Sequence, residues 1–134
     1  WKEQWGELTV VVKPDAIVRV CEFLRDAPGL EYKFLSSVTG VDLGMEVDPR
    51  FEVVYHLYSV SQHHRLRLKA RLNEDESAPT VTGVWKAANW YERETYDLFG
   101  IEFEGHPDLR RIMMPDDYEG HPLRKDFPLR GYLR

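Results

Sequence analysis

The stretch Arg65-Leu66-Arg67-Leu68-Lys69-Ala70-Arg71-Leu72 alternates cationic and aliphatic residues without a break. Side chains of an extended chain point to opposite faces in turn, so a period of two fits a strand with one apolar and one basic face and fits no helix. Leu66, Leu68, Ala70 and Leu72 then look into a core, and Arg65, Arg67, Lys69 and Arg71 look away from it. Residues 51–60, rich in Val and Tyr, read as a central strand occupied on both faces, joined to the first by a hairpin at Ser61-Gln62-His63-His64. Residues 8–12 form a further β-branched strand that stops before Pro14, and residues 32–38 another. Residues 40–49 carry two glycines and several acids and read as a loop.

Two helices complete the pattern. Pro14 fits a first helical turn and Asp15 its positive end; Ile17, Cys21 and Leu24 share one face, Val20 and Ala27 widen it, and Pro28-Gly29 closes it. After an acidic loop over residues 73–80, Thr82 is placed to cap a second helix. There Val84, Ala88, Tyr91, Thr95 and Leu98 recur at three- and four-residue steps, with Trp85, Tyr96 and Phe99 on an adjacent face and Gly100 as the C-terminal cap. This predicts an α+β fold, a mostly antiparallel sheet packed against helices. Residues 1–104 read as the compact domain. Residues 105–134 hold four prolines and three glycines, offer only residues 109–114 as a short strand, and read as an extended, basic segment of the same domain that docks on a partner.

Composition narrows the chemistry. At 134 residues and 43 % hydrophobic, the chain has enough apolar material for one core without disulfide or metal. A net charge of −5 gives no general attraction to nucleic acid, although Lys and Arg gather at residues 65–71 and 110–134. Along the basic strip no aromatic residues are interleaved to stack bases; it reads as a solvent face or edge, or as a partner contact. Cys21 is the only cysteine, so the chain alone cannot supply four thiolates for an iron–sulphur cluster, and it reads as a small buried hydrophobe. No run approaches the length of a membrane-spanning helix. The first residue is Trp1 rather than methionine, which points to residues upstream.

The candidate catalytic groups are Glu92, Glu94 and Asp97 on the second helix, with His106 and His121 from the tail. Arg93 and Asp97, four apart, are spaced to stabilise the helix as a pair. No adjacent histidine offers these carboxylates a base. His106 and His121 each sit in a Gly-His-Pro turn, and with Asp116 or Asp117 they make no recognised metal-ligand spacing. No glycine-rich phosphate loop follows a strand. The residues alone describe an α+β domain with a partner-bound tail; a small acid–base enzyme and a nucleic-acid binder stand as alternatives.

Three connected blocks resemble a known family. Glu92-Arg93-Glu94-Thr95-Tyr96-Asp97-Leu98-Phe99-Gly100-Ile101 is similar to the signature helix of the small peripheral-arm subunit of the respiratory NADH–quinone oxidoreductase (complex I) family. Gly105-His106-Pro107-Asp108-Leu109-Arg110-Arg111-Ile112 and Gly120-His121-Pro122-Leu123-Arg124-Lys125-Asp126-Phe127-Pro128-Leu129 continue the match. Residues 79–82 and 85–90 fit too, and the likeness covers essentially the whole chain; many relatives extend beyond Gly131-Tyr132.

The resemblance implies a non-catalytic structural and assembly subunit of a proton-translocating complex. It implies docking on the quinone-site subunit related to the nickel–iron hydrogenase large subunit, among other hydrophilic-arm subunits. FMN, iron–sulphur clusters and the quinone site would lie in partner subunits, with no cofactor in this chain. The place implied is the cytoplasmic side of a bacterial inner membrane, or the matrix side in a mitochondrion. Family signature positions are Glu92, Arg93, Glu94, Asp97 and Gly100; His106, Arg110, Arg111, His121, Arg124, Lys125 and Asp126 are the expected partner interface. Ion-pumping hydrogenases and complexes with other electron donors carry a similar domain.

Overall fold

A computed structural model describes residues 2–4, 7–112 and 120–124, with residues 2–4 and 7 as backbone only. Its main sheet has five strands: β1 (Lys2–Gln4), β2 (Glu7–Val11), β3 (Phe34–Asp42), β4 (Phe51–Ser59) and β5 (His64–Leu72), in the spatial order β1-β2-β5-β4-β3. All pairs are antiparallel except β2 with β5, where Leu8 stands beside Leu66 and Val11 beside Lys69. Helix α1 (Ile17–Asp26) follows a 3-10 turn at Pro14–Ala16. The short strands β6 (Ala78–Pro79) and β7 (Phe103–Glu104) pair in parallel on either side of helix α2 (Ala88–Phe99).

The period of two on β5 places Leu66, Leu68, Ala70 and Leu72 in the core, and β4 answers with Leu57, Tyr55, Val53 and Phe51 directly opposite. Ile17 and Cys21 from α1, and Trp85 and Ala88 from the α2 region, close the same core. On α1 the burial pattern follows the expected face, and the helix ends just before Pro28-Gly29. β4 is central and occupied on both faces, as its composition indicates.

Several expectations are corrected. The basic strip is no edge, because β5 lies between β2 and β4. Nor is it fully wetted: Arg67 and Lys69 are half-buried, and buried Glu52 across on β4 takes Lys69 at 3.7 Å and Arg71 at 3.1 Å. Aromatic residues do stand on that face, supplied by neighbouring strands: Tyr58 faces Arg65 across β4–β5, and Phe34 faces Tyr58 across β3–β4.

β3 runs four residues beyond the expected end, to Asp42, because pairing with β4 overrides the local signal of Gly40. Glycine is needed there, since a Cβ would come within 2.7 Å of the Phe99 ring from α2. Asp42 then holds Arg50 through both oxygens, at 2.9 and 2.8 Å, in a buried two-pronged contact that ties the ends of β3 and β4.

Helix α2 starts at Ala88 rather than near Thr82. The Thr82 amide donates to the Thr80 hydroxyl, and successive turns at Val81, Trp85 and Lys86 lead into the helix without a side-chain cap. Residues 109–112 form no strand; Met113 and Met114 lie outside the described residues. The Ile112 amide, which a strand would pair with backbone, donates instead to Asp97.

Candidate functional site

The signature helix buries two carboxylates. Glu92 and Asp97, with Ala88 and Thr95, are its buried residues. Each carboxylate has become the centre of a small polar network.

Asp97 organises the C-terminal end of α2. Arg111 donates from Nε to Oδ1 at 2.6 Å, the Ile112 amide donates to Oδ2 at 3.0 Å, and Arg111 Nη2 reaches the Asp97 and Gly120 carbonyls. The expected Arg93–Asp97 stabilising pair gives way to this longer-range contact. A helix end leaves its last carbonyls without helical partners. Here the Asp97 carbonyl also receives Nδ1–H of His121, and the Leu98 carbonyl receives the Leu123 amide at 2.9 Å. Gly100 caps the helix in the left-handed region at φ 79°, and the His121 ring lies against it so closely that a Cβ would meet Cδ2 at 2.8 Å. His121 also leans on Tyr96, ring centres 5.9 Å apart. The second Gly-His-Pro turn is thus the cap of the signature helix.

Glu92 organises the other end. Its Oε2 accepts the Val81 amide at 2.8 Å and its Oε1 lies 2.5 Å from the Thr80 hydroxyl. Burial pushes its carboxyl up to about 7, against the opposing pull of those two bonds. His106 stands beside it, Nε2 to Oε1 3.9 Å. The Asp108 amide donates to His106 Nδ1, so the ring proton sits on Nε2 and is offered to the Asn89 carbonyl at 3.1 Å. The first Gly-His-Pro turn is therefore seated beneath α2. Sequence spacing holds no sign of this carboxylate–histidine neighbour. Both side chains have no exposed area, so no substrate reaches them in this conformation.

The remaining candidates lie outward. Arg93 stacks over Trp90 at 5.9 Å and donates to the Arg110 carbonyl at 3.4 Å. Arg110 is exposed and pairs with Asp108, Trp90 is 52 % exposed, and Glu94 is half-buried. Arg124 reaches Glu74 at 2.8 Å and lies 5.1 Å over the ring of Phe51, whose ring also meets Arg50. Cys21 is buried and its thiol pushed up to about 12, chiefly by desolvation, which leaves it a hydrophobe. Among the described residues no three His, Cys, Asp or Glu gather into a metal-sized group. Asp116, Asp117, Lys125 and Asp126 lie outside the described residues. No described helix is long and apolar enough to cross a membrane.

Comparison with known proteins agrees with this geometry. The family model of the respiratory-chain NADH dehydrogenase 30 kDa subunit matches residues 10–133. An NADH-quinone oxidoreductase subunit of Rhizobium meliloti (strain 1021) is 58 % identical over 127 residues, covering 95 % of this chain and 69 % of the relative. Among solved structures, a trypsin-resistant fragment of Nqo5 superposes with a TM-score of 0.68 at 36 % identity, covering 80 % of this chain and 86 % of the fragment. A chain of the membrane-bound sulfane sulfur reductase, an archaeal respiratory membrane complex, superposes with a TM-score of 0.80 at 29 % identity, covering 96 % and 76 %. With its signature helix, its two histidine turns and nearly its whole length matched, the chain belongs to the 30 kDa subunit family of the respiratory-chain NADH dehydrogenase, whose bacterial relatives are named as NADH-quinone oxidoreductase subunits.

Proposed function

We propose that the chain is a non-catalytic structural and assembly subunit of an NADH–quinone oxidoreductase. It docks on the quinone-site subunit in the hydrophilic arm of a complex that passes electrons from NADH to quinone and couples this to proton translocation. FMN, iron–sulphur clusters and quinone bind in partner subunits, and the arm stands on the cytoplasmic side of a bacterial inner membrane, or the matrix side in a mitochondrion. The observation that carries the reading is how the family-specific residues are used. Glu92, Asp97, Arg111, His106 and His121 are spent on polar contacts that seat residues 105–112 and 120–124 against α2 and the turn before it. They build a rigid face rather than a reactive cleft, and leave Trp90, Arg93 and Arg110 outward, residue types that dominate protein interfaces. In this reading residues 105–134 are the docking segment; Arg124 borders the contact and Lys125 and Asp126 continue it.

Copurification tests the proposal. Tagged chain isolated from gently solubilised membranes of its source should bring down the quinone-site subunit, and Trp90→Ala with Arg110→Glu should lower recovery about tenfold, the loss of ~1.4 kcal/mol of binding. Recovery as a free monomer overturns it. The likeness to the sulfane sulfur reductase chain favours one second reading, the same docking role in a complex with another electron donor. NADH-dependent quinone reduction by the recovered complex separates the two.

A further inference from the structure

The face of the sheet turned away from the helices carries a second feature. Phe34 and Val60 are 56 % and 66 % exposed, and with Tyr58, Lys33 and Glu31, whose carboxylate accepts from the Ser61 hydroxyl, they line a groove of about 480 Å³. Beside it, an irregularity between Leu35 and Ser37 in the β3–β4 pairing sets Ser36 and Ser37 near His56, Arg65 and Arg67, around a concavity of about 200 Å³. Arg65 marks the border, its guanidinium 5.9 Å over the Tyr58 ring. The basic strip is therefore divided. Lys69 and Arg71 are taken by Glu52, whereas exposed Arg65 has no carboxylate partner among the described residues.

We infer that this face binds an extended acidic segment of a neighbouring protein, with an apolar side chain in the Phe34–Tyr58 groove and a carboxylate on Arg65. The inference rests on the docking role above but uses the opposite side of the sheet from α2. Phe34, Tyr58 and Arg65 stand in one row across β3, β4 and β5, which puts the groove and the guanidinium two strand spacings, roughly 10 Å, apart. An extended segment laid across the strands, with an acid about three residues from an apolar side chain, reaches both. Arginine's planar fork matches a carboxylate through two parallel bonds. The positive face departs locally from a chain of net charge −5, so it selects an acidic segment without attracting polyanions in general. A membrane surface calls for protruding cations, and here they border hollows. A nucleic-acid strand calls for a continuous cationic track, and Glu52 neutralises half of it.

Photo-crosslinking within the intact assembly tests this. The full chain carries benzoylphenylalanine in place of Phe34 in one strain and in place of Trp90 in another, and crosslinked peptides are sequenced by mass spectrometry. The Phe34 probe should capture one segment of another protein with Asp or Glu within two or three residues of the attachment. Arg65→Glu should lower that yield about tenfold and leave the Trp90 yield unchanged. Arg65→Gln, checked by circular dichroism of the purified chain, should give a smaller loss in the same direction and guards against a folding artefact. Capture of lipid, RNA, a second copy of this chain or a segment lacking acids overturns the inference, as does no capture at Phe34. Continued crosslinking from Trp90 in those cases leaves the docking role standing; failure at both positions removes both.

Discussion

Arg111 and Asp97 meet at 2.6 Å, with the arginine side chain 11 % exposed and the aspartate fully buried. The contact joins the segment after β7 to the last turn of α2, and the same guanidinium holds the Gly120 carbonyl. One arginine thus ties together the end of α2, the segment after β7 and the second histidine turn. Removing one partner of a buried pair is costly because the other is left as an uncompensated charge.

Arg111→Ala should therefore destabilise the chain by about 3–5 kcal/mol. Urea unfolding followed by circular dichroism measures it. A loss under about 1 kcal/mol would mean that the Ile112 amide and water solvate Asp97 unaided, and would refute the clamp.

Glu92 gives a pH signature. Its carboxyl lies at about 7 when folded against the ordinary 4.5, so the folded state holds its proton more tightly than the unfolded state does. Its contribution is fully present below pH 4.5 and is lost as pH rises through about 7, roughly 3 kcal/mol over that window. Glu92→Gln removes the titration, so the stability difference, variant minus native, should climb across the window and level off above it. A difference that stays flat with pH would exclude the buried, proton-holding carboxyl. Native and variant curves must be compared, because other carboxylates titrate in the acid limb.

Much of this fold is legible in the sequence, and what is not has one physical cause. The alternation on β5, the two-faced composition of β4 and the face of α1 are local patterns, and each reappears in the burial. The Trp85 expected on the apolar side of α2 is 6 % exposed, its indole nitrogen bonded to the Tyr32 carbonyl. What local pattern cannot carry is pairing at a distance. The parallel β2–β5 contact and the β6–β7 pair depend on partners distant along the chain, and the extension of β3 to Asp42 depends on β4 across the intervening loop. The site divides the same way. The three sequence blocks contain Glu92, Asp97, His106, Arg111 and His121, but the helical period gave no sign that the two carboxylates are buried. Only their partners, Val81 and His106 for one and Arg111 and Ile112 for the other, account for their burial. A short clue was present: Gly-His-Pro occurs twice, and each histidine turn proves to sit on α2.

Tyr55 offers a test in the opposite direction. Its ring fills the core and its hydroxyl is buried without a hydrogen-bond partner among the described residues, held protonated by desolvation with Glu92 nearby. An unmet buried hydroxyl costs stability, so Tyr55→Phe should be neutral or stabilising by about 1 kcal/mol. Thermal or denaturant unfolding decides it. A loss above about 1 kcal/mol would reveal a bond to an ordered water.

Arg124 tests how residues 120–124 are anchored. Its guanidinium spans Glu74 at 2.8 Å and the face of Phe51, next to Arg50, which reaches Glu74 at 3.3 Å. Glu74 is 60 % exposed, and ion pairs in that setting are worth at most about 1 kcal/mol, with a further ~0.5–1 from a cation over an aromatic ring. Arg124→Ala should then cost the isolated chain only about 1 kcal/mol and leave its circular dichroism unchanged. Glu74→Gln added to Arg124→Ala should cost less than it does in the native chain, because the pair it would break is already gone. A loss of binding to the quinone-site subunit greater than about tenfold, measured on the same Arg124→Ala chain, would exceed what this internal contact explains and give Arg124 a direct acceptor on the partner. Equal affinity would confine Arg124 to the domain's own clamp. Collapse of the free fold would refute the assignment of ~1 kcal/mol and make Arg124 a core support.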